Sequence, residues 1–329
     1  MTPGLLFGGF CIGGAAATGL ALRWLRARGF LVVRNARCSH VVPTPRGGGL
    51  AVTPLVLGGL AIWFSRRGGS AADWAMLAGA LLLALVSWID DRRSLSPLPR
   101  FAAQIAAAAV VLALMPESAI LGGLLPSWVE KLVLGLAWVW FVNLFNFMDG
   151  IDGITGVETI AVTLGLFVAA PGILAGGPLA IVAGTTLGFL FWNWHPAKIF
   201  MGDVGSIPLG FVLGYLLLSM TALHPAGWAV ALILPAVYWA DATITLARRA
   251  LAGKPVWRAH REHFYQRATQ GGWSHARVSA LIAFADIVLI ALARAATRTG
   301  PWLALAAATV ATALILALFE AKYRGRNGG

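Results

Sequence analysis

Residues 128–156 read WVEKLVLGLAWVWFVNLFNFMDGIDGITG. Up to residue 147 this stretch is predominantly apolar and about as long as a helix needs to cross a bilayer. Its end is different, because Asn143, Asn146, Asp149 and Asp152 recur every third residue and a glycine follows each aspartate. The pattern predicts a membrane-spanning helix that ends in a polar turn.

The composition of the whole chain agrees with a membrane protein. Of its 329 residues, 59% are hydrophobic and only 12% are charged, with a mean hydropathy of +0.79; soluble domains are about 25% charged. A soluble fold would need many buried helices with almost no solvated faces. The two cysteines, Cys11 and Cys38, are far apart, which argues against a disulfide framework or a cysteine-rich metal site.

Apolar windows along the chain predict the number of spans. We expect one all-α, polytopic membrane domain over residues 1–329, with about eleven transmembrane helices and the active site at the cytoplasmic face. The first window is not typical of a signal peptide, because its arginines follow the apolar run. The windows fall at 4–22, 47–64, 72–89, 101–115, 128–147, 156–171, 177–193, 205–222, 227–247, 277–294 and 301–320.

The basic residues predict the orientation of these spans. With eleven spans, alternate loops carry twenty and five of the 25 lysines and arginines, and the rich set belongs in the cytoplasm. The N-terminus is then outside and the C-terminus inside, in a multi-pass membrane protein. The formal charge of +12 is explained by these loops and by contact with anionic lipid, so we expect no nucleic-acid partner.

The polar motifs all lie on the predicted cytoplasmic side. The expected cytoplasmic loops span 23–46, 90–100, 148–155, 194–204 and 248–276. They contain or border PTPRGGG (43–49), DDRRS (90–94), HPAKIFMGDVGS (195–206) and HREHFYQR (260–267), besides the opening stretch. Five motifs on one face predict a single site assembled from separate loops.

Five of the eight aspartates lie in three of these motifs: Asp90, Asp91, Asp149, Asp152 and Asp203. Carboxylates at the edge of hydrocarbon are costly unless they meet cations. They hold a divalent ion or pair with arginines of the same loops. Oxygen ligands without clustered thiols favour a hard ion such as Mg²⁺, which bridges carboxylates and phosphates, so a metal-bound phosphate fits the opening stretch.

These motifs resemble those of the polyprenyl-phosphate N-acetylhexosamine-1-phosphate transferases, which form glycosyltransferase family 4. The family's paired aspartates match Asp90 and Asp91, and its Asn-x-x-Asn-x-x-Asp-Gly-x-Asp-Gly signature matches residues 143–153. The family's asparagine upstream of Phe-Met-Gly-Asp matches Asn193 and Asp203. The resemblance extends from PTPRGGG through HREHFYQR, which is most of the chain.

The resemblance implies transfer of a sugar 1-phosphate from a UDP-N-acetylhexosamine to undecaprenyl phosphate, with release of UMP. It implies Mg²⁺, or Mn²⁺ in its place, bound by Asp203, Asp91 and Asp149, and it is compatible with a homodimer in the lipid membrane. The implied catalytic residues are Asp90, Asp91, Asp203, His260 and His263. The implied substrate-binding residues are Asn143, Asn146, Asp149, Asp152, Asn193, Lys198, Arg258, Arg261 and Arg267.

The histidine loop bears on the type of transferase. His260-x-x-His263 followed by Tyr265-Gln266-Arg267 is more similar to enzymes that begin O-antigen or related surface glycans than to phospho-muramoyl-pentapeptide transferases, which stay the alternative. A second alternative is an ion-coupled transporter with Asp241 and Asp286 at the midplane. A third is an aromatic prenyltransferase, although DDRRS does not extend into its aspartate-rich pattern.

Overall fold

A computed structural model of the chain describes residues 2–29, 44–93, 95–115, 126–256 and 260–327. The regular structure of these residues is helical, as the sequence predicts. The helices are α1 (Pro3–Ala27), α2 (Gly49–Arg67), α3 (Ala71–Arg93), α4 (Pro97–Leu114), α5 (Ser127–Met148), α6 (Ile154–Ala169), α7 (Gly176–Asn193), α8 (Asp203–Leu223), α9 (Gly227–Ile233), α10 (Ala236–Leu251), α11 (Phe264–Gln270), α12 (His275–Thr299) and α13 (Pro301–Asn327).

Every predicted apolar window coincides with a helix or a helix pair, and the chain is a multi-pass membrane protein. Within the described ranges, eight helices are long and apolar enough to cross a bilayer, and α9 with α10 would make a ninth span bent by 64°. The helix α6 is apolar but has only 16 residues. The predicted count of eleven spans therefore stays a prediction.

Helices continue into several of the predicted cytoplasmic loops, whose position relative to the membrane stays a prediction. The helix α1 includes Arg23 and Arg26, α3 includes Asp90 and Asp91, and α4 already begins at Pro97. The last predicted loop, 248–276, contains the end of α10, all of α11 and the first residues of α12. Basic side chains stabilise the last turn of a helix through the carbonyl ends of its dipole, so an arginine does not mark the end of the helix.

The helix α8 lies at the centre of the bundle. Its side chains are buried almost all round, which is the expected pattern for a helix surrounded by other helices. Small residues let its neighbours approach closely: Phe145 of α5 packs on Gly210, and the Trp138 ring stacks on Phe211 at 4.3 Å. This contact places the end of α5, with its polar turn, beside the start of α8.

The helices α6 and α12 pack side by side and run in the same direction. At one end, the Ser279 hydroxyl donates a 2.7 Å hydrogen bond to the carbonyl of Asp152. At the other end, the Thr297 hydroxyl and the Arg294 guanidinium both donate to the carbonyl of Ala169, at 2.6 and 3.0 Å. These hydrogen bonds at both ends of the helix pair set the register between α6 and α12.

Candidate active site

Backbone hydrogen bonds pair the PTPRGGG segment with the loop before α8. The amides of Gly47 and Gly48 donate to the Phe200 carbonyl at 3.1 and 2.8 Å, and the amide of Phe200 donates to Pro45 at 2.9 Å. A Cβ on Gly48 would overlap the Phe189 ring, so the close approach requires glycine there. The pairing places Arg46 next to Asp203, the first residue of α8.

Two carboxylates from separate helix ends pair with Arg46, and the charge of Arg46 acts on a third. Its guanidinium forms an ion pair with Asp203, and its Nη1 lies 3.9 Å from Oδ1 of Asp91 at the end of α3. The charges of Arg46 and Asp203 also act on Asp149, which follows α5. The structure therefore brings together Asp91, Asp149 and Asp203, which are the three predicted metal ligands.

Asp149 is held between the start of α6 and the loop before α8. Its Oδ1 accepts a 2.6 Å hydrogen bond from the Thr155 hydroxyl, and the carboxylate also accepts one from the backbone of Gly202. Burial raises the pKa of Asp149 to about 6, although the Thr155 hydrogen bond and the charge of Arg46 lower it. The effect of burial on the pKa of Asp149 therefore outweighs the hydrogen bonds and the charge that favour its ionised form.

The residues of this cluster fit a hard divalent ion. Asp91, Asp149 and Asp203 offer carboxylate oxygens alone, and one guanidinium at Arg46 does not balance three carboxylates. Magnesium takes oxygen ligands and is held by few carboxylates together with substrate phosphates. Within the described residues, however, the ligand oxygens of these three side chains do not all lie within 4.8 Å of one another, so metal binding by the three stays a prediction.

The structure separates the two adjacent aspartates of α3. Oδ1 of Asp90 accepts a hydrogen bond from the Leu95 amide at 2.7 Å, and its Oδ2 forms an ion pair with Arg100 of α4. Asp91 instead faces Arg46. Asp90 thus fixes the junction between α3 and α4, and Asp91 is the member of the pair that belongs to the carboxylate cluster.

The predicted asparagines bind protein groups. The Asn143 amide donates to Oε1 of Gln104 at 2.6 Å and to the Val139 carbonyl at 2.7 Å, within the bundle. Oδ1 of Asn146 accepts a 2.6 Å hydrogen bond from Ser206 of α8. Their predicted contacts with substrate stay predictions.

Asn193 joins two of the motifs. Its Oδ1 accepts from the Gly153 amide at 3.0 Å, and its Nδ2 donates to the Ile199 carbonyl at 2.8 Å. The side chain is buried. It therefore links the turn after α5 to the loop before α8, while its predicted role beside the diphosphate stays a prediction.

Asp152 contacts two histidines that were not predicted from the sequence as site residues. Its Oδ2 lies 2.6 Å from Nδ1 of His195 and its Oδ1 lies 3.4 Å from Nδ1 of His275. The Ala197 amide also donates to Oδ2 at 3.2 Å. Within the described residues, the ligand atoms of Asp152, His195 and His275 lie close enough together to share a metal ion. His195 belongs to a selected motif, but the sequence around His275 gave no signal.

The histidine loop is held by a buried aspartate of α10 and packs on the opening stretch through Tyr265. Oδ1 of Asp241 lies 3.0 Å from Nδ1 of His263 and accepts from the Phe264 amide, and Oδ2 accepts from the Tyr265 amide. The Tyr265 hydroxyl donates to the Phe147 carbonyl at 3.1 Å. A Cβ on Gly150 would overlap that hydroxyl, so glycine is needed at this contact.

The predicted histidines differ in their surroundings. His263 is buried against Asp241, and the ring of His260 stacks on the ring of His263 with centroids 4.9 Å apart. His263 thus holds the loop in place. The predicted catalytic role of both residues stays a prediction.

The predicted basic residues are distributed over the loops. Lys198 lies over the Trp192 ring at 5.2 Å, and the Arg267 guanidinium contacts Glu320 of α13 at 2.9 Å. The carbonyl of Arg261 accepts a hydrogen bond from the Gln270 side chain, and Arg258 lies outside the described residues. Their predicted phosphate contacts stay predictions.

Comparison with known proteins decides the family. The sequence profile of glycosyl transferase family 4 matches residues 74–221, which include Asp90, Asp91 and the whole cluster apart from Arg46. A decaprenyl-phosphate N-acetylglucosaminephosphotransferase of Mycolicibacterium smegmatis is 30% identical, over 95% of this chain and 88% of the relative. The chain belongs to glycosyl transferase family 4. The resemblance found in the sequence motifs is confirmed.

Other relatives agree with this membership. A probable undecaprenyl-phosphate N-acetylglucosaminyl 1-phosphate transferase of Bacillus subtilis is 30% identical over 73% of this chain and 69% of the relative. A phospho-N-acetylmuramoyl-pentapeptide-transferase of Moorella thermoacetica is 33% identical, but only over 51% of this chain and 52% of its own. This family member is thus an enzyme of the glycosyl-1-phosphate transferase type.

Proposed function

We propose that this enzyme transfers a sugar 1-phosphate, of the N-acetylhexosamine type, from a UDP-sugar to undecaprenyl phosphate. The products are the lipid diphosphate sugar and UMP. The observation that supports this most strongly is the convergence of Asp91, Asp149 and Asp203 on Arg46. An acidic cluster with one guanidinium suits a phosphate-bearing substrate, and the relatives that cover most of the chain are named for a polyprenyl phosphate.

The membrane setting agrees with a lipid acceptor. An isoprenoid tail needs apolar surface between helices, while its phosphate stays at the interface. The cluster lies where α3 and α5 end and α8 begins, so a phosphate at the membrane edge would reach it. The excess of arginine in loops on the same side supports a cytoplasmic face and a position in the bacterial inner membrane.

The reaction is an in-line displacement at phosphorus. An oxygen of the lipid phosphate forms a bond to the phosphorus that carries the sugar, and the bond from this phosphorus to the oxygen bridging the two phosphates breaks. The electron pair of that bond leaves with UMP. A phosphate monoester has a second pKa near 6, so the attacking phosphate is largely a dianion at neutral pH and requires no general base.

The side chains of the cluster supply position and charge, on which such transfers chiefly depend. Arg46 presents the planar fork of donors that matches phosphate oxygens. Magnesium held by Asp91, Asp149 and Asp203 would neutralise charge on the diphosphate. Asn146 and Asn193 keep the loops that carry these groups in register through Ser206 and Gly153.

The downstream product proposed here is an O-antigen or a related surface polysaccharide of the lipopolysaccharide type. The His260-x-x-His263 loop with Tyr265 favours this over a phospho-muramoyl-pentapeptide transferase. The match to the Moorella thermoacetica phospho-N-acetylmuramoyl-pentapeptide-transferase covers only 51% of this chain, which also argues against that alternative. The sugar is then an aminosugar without a pentapeptide.

A substrate panel tests the proposal. The purified chain is incubated with undecaprenyl phosphate, Mg²⁺ and either UDP-N-acetylglucosamine, a UDP 6-deoxy aminosugar or the UDP-muramoyl pentapeptide, and UMP is measured. We expect UMP with an aminosugar and loss of it in Asp203→Asn. UMP from the pentapeptide donor alone would support the alternative, and UMP from none of them would overturn the proposal.

A further inference from the structure

Two carboxylates lie buried in the helical bundle outside the cluster described above. Glu158 of α6 is fully buried and Asp286 of α12 is 2% exposed. Within the part of the chain that the structure describes, none of their four carboxylate oxygens has a hydrogen-bond partner. Buried polar groups are almost always hydrogen-bonded, so four unpartnered oxygens call for a ligand.

The register of the two helices places these carboxylates at the same depth. Ser279 is bonded to the carbonyl of Asp152, and the two helices then run in parallel. Glu158 lies six positions after Asp152, and Asp286 lies seven positions after Ser279. At 1.5 Å per residue, both lie about 10 Å beyond that hydrogen bond along the helix axes, and the charge of Asp286 acts on Glu158.

A third side chain points to the same place. The hydroxyl of Tyr238 on α10 is buried and has no hydrogen-bond partner among the described residues. The charges of Glu158, Asp286 and Asp149 all act on this hydroxyl. Five oxygens from three helices are therefore buried without a hydrogen-bond partner in the same part of the bundle, behind the turn that carries Asp149.

Among the residues that the structure describes, no basic side chain contacts this pair of carboxylates. Within the described ranges, none of the carboxylate oxygens of Glu158 and Asp286 accepts a hydrogen bond from a lysine, an arginine or a histidine. Removing two carboxylates from water costs much free energy unless a cation meets them. An ionisable residue at such a depth in a membrane protein usually marks a functional site.

We propose that Glu158, Asp286 and Tyr238 form a second cation site, which binds a divalent ion. Two carboxylates carry a charge of −2, so one divalent cation leaves the site neutral. The ligand set consists of oxygen alone, as Mg²⁺, Mn²⁺ and Ca²⁺ prefer. None of the three residues belongs to the Arg46 cluster, so the site is separate from the one that serves the proposed transfer.

The bound ion would connect α6, α10 and α12 beneath the turn at 149–153. That turn carries Asp149 and Asp152 at the start of α6, and α12 carries His275, which contacts Asp152. Glu158 and Asp286 are thus positioning residues. The cation would hold α6, α10 and α12 in fixed relative positions and so position Asp149 and Asp152, without contacting the substrate.

Counting bound Mn²⁺ tests the site without relying on activity. The full chain, purified in detergent, is titrated with Mn²⁺, and free Mn²⁺ is measured by electron paramagnetic resonance. We expect two tight sites in the wild type, one in Glu158→Gln, one in Asp286→Asn and one in Asp203→Asn, which is the matched control in the other cluster. The double variant Glu158→Gln/Asp203→Asn should bind none tightly.

The outcomes separate this proposal from the proposed function. Equal Mn²⁺ binding by Glu158→Gln, Asp286→Asn and the wild type would overturn the second site. One tight site in the wild type that Asp203→Asn abolishes would overturn it too, and would leave the proposed function standing. One site that only Glu158→Gln and Asp286→Asn abolish would support it and contradict metal binding by Asp203.

Infrared spectroscopy gives a second readout, which does not depend on counting bound ions. With Mn²⁺ bound, both carboxylates are ionised, so saturation with Mn²⁺ should leave no carboxylic-acid C=O stretch from this pair. Such a stretch that persists at saturating Mn²⁺ and disappears in Asp286→Asn would mean that a proton, rather than a cation, joins the two side chains, and the proposal would be wrong.

Discussion

The guanidinium of Arg46 contacts the carboxylate of Asp203, although 157 positions separate the two residues. The contact depends on the backbone pairing of Gly47 and Gly48 with Phe200. Arg46 also lies 3.9 Å from Asp91. One arginine thus gathers carboxylates from the end of α3 and the start of α8, and its position explains why PTPRGGG accompanies the acidic motifs.

Arg46→Ala should lower kcat for UMP release by about 10²-fold or more, since it removes a charged donor from the reacting phosphates. Arg46→Lys should recover part of this loss, because it keeps the charge but lacks the planar fork. Arg66→Ala, at the other end of α2, is the control and should leave the rate unchanged. Wild-type turnover by Arg46→Ala would remove Arg46 from the site.

The two aspartates of α3 should differ when each is replaced by asparagine. Asp91→Asn should lower UMP release by about 10²-fold, because it removes one carboxylate of the cluster. Asp90→Asn should cost at most about tenfold, since it weakens an ion pair at a helix junction. Arg100→Ala breaks the same ion pair, so it should reproduce the effect of Asp90→Asn. A larger loss in Asp90→Asn than in Asp91→Asn would reverse the assignment.

Gly150→Ala should reduce activity strongly, because its Cβ would overlap the Tyr265 hydroxyl and push the histidine loop away from α5. Tyr265→Phe removes that hydroxyl and its bond to the Phe147 carbonyl, at a smaller expected cost. The double variant should therefore be more active than Gly150→Ala alone. UMP release by the four forms checks this, and a double variant no better than Gly150→Ala would show that the overlap is not the cause.

Asp241→Asn should destabilise the chain by about 3 kcal/mol, as expected when a buried pair loses one partner. The Asp241 carboxylate meets His263 and two backbone amides of the histidine loop, and an amide side chain cannot accept at both ends. The melting temperature in detergent measures the loss. A melting temperature of Asp241→Asn equal to that of the wild type would contradict this role of Asp241.

The sequence predicted the helices well, because the length of an apolar run decides whether a segment can cross a bilayer. It did not predict the bend between α9 and α10, where Pro235 directly precedes the first residue of α10. Pro54 and Pro208 lie inside α2 and α8 without ending them. Packing in a membrane bundle can satisfy the backbone around proline, so proline alone does not locate a break.

The acidic part of the site followed from the motifs, whereas its partners did not. Asp203 and Asp149 stand at conspicuous spacings beside glycine. Arg46 was one arginine among many in the basic loops. Its role depends on tertiary pairing. His195 and His275 lie 43 and 123 positions after Asp152, and such distances leave no periodic signal.

The central claim is that phosphorus moves together with the sugar, and an isotope label tests it most directly. A UDP-aminosugar labelled with ³²P at the phosphorus that carries the sugar is incubated with the purified chain, undecaprenyl phosphate and Mg²⁺, and the lipid is extracted into butanol. We expect the label in the lipid fraction and unlabelled UMP in water, with neither formed by Asp203→Asn. Sugar in the lipid with the label left on UDP would contradict this account.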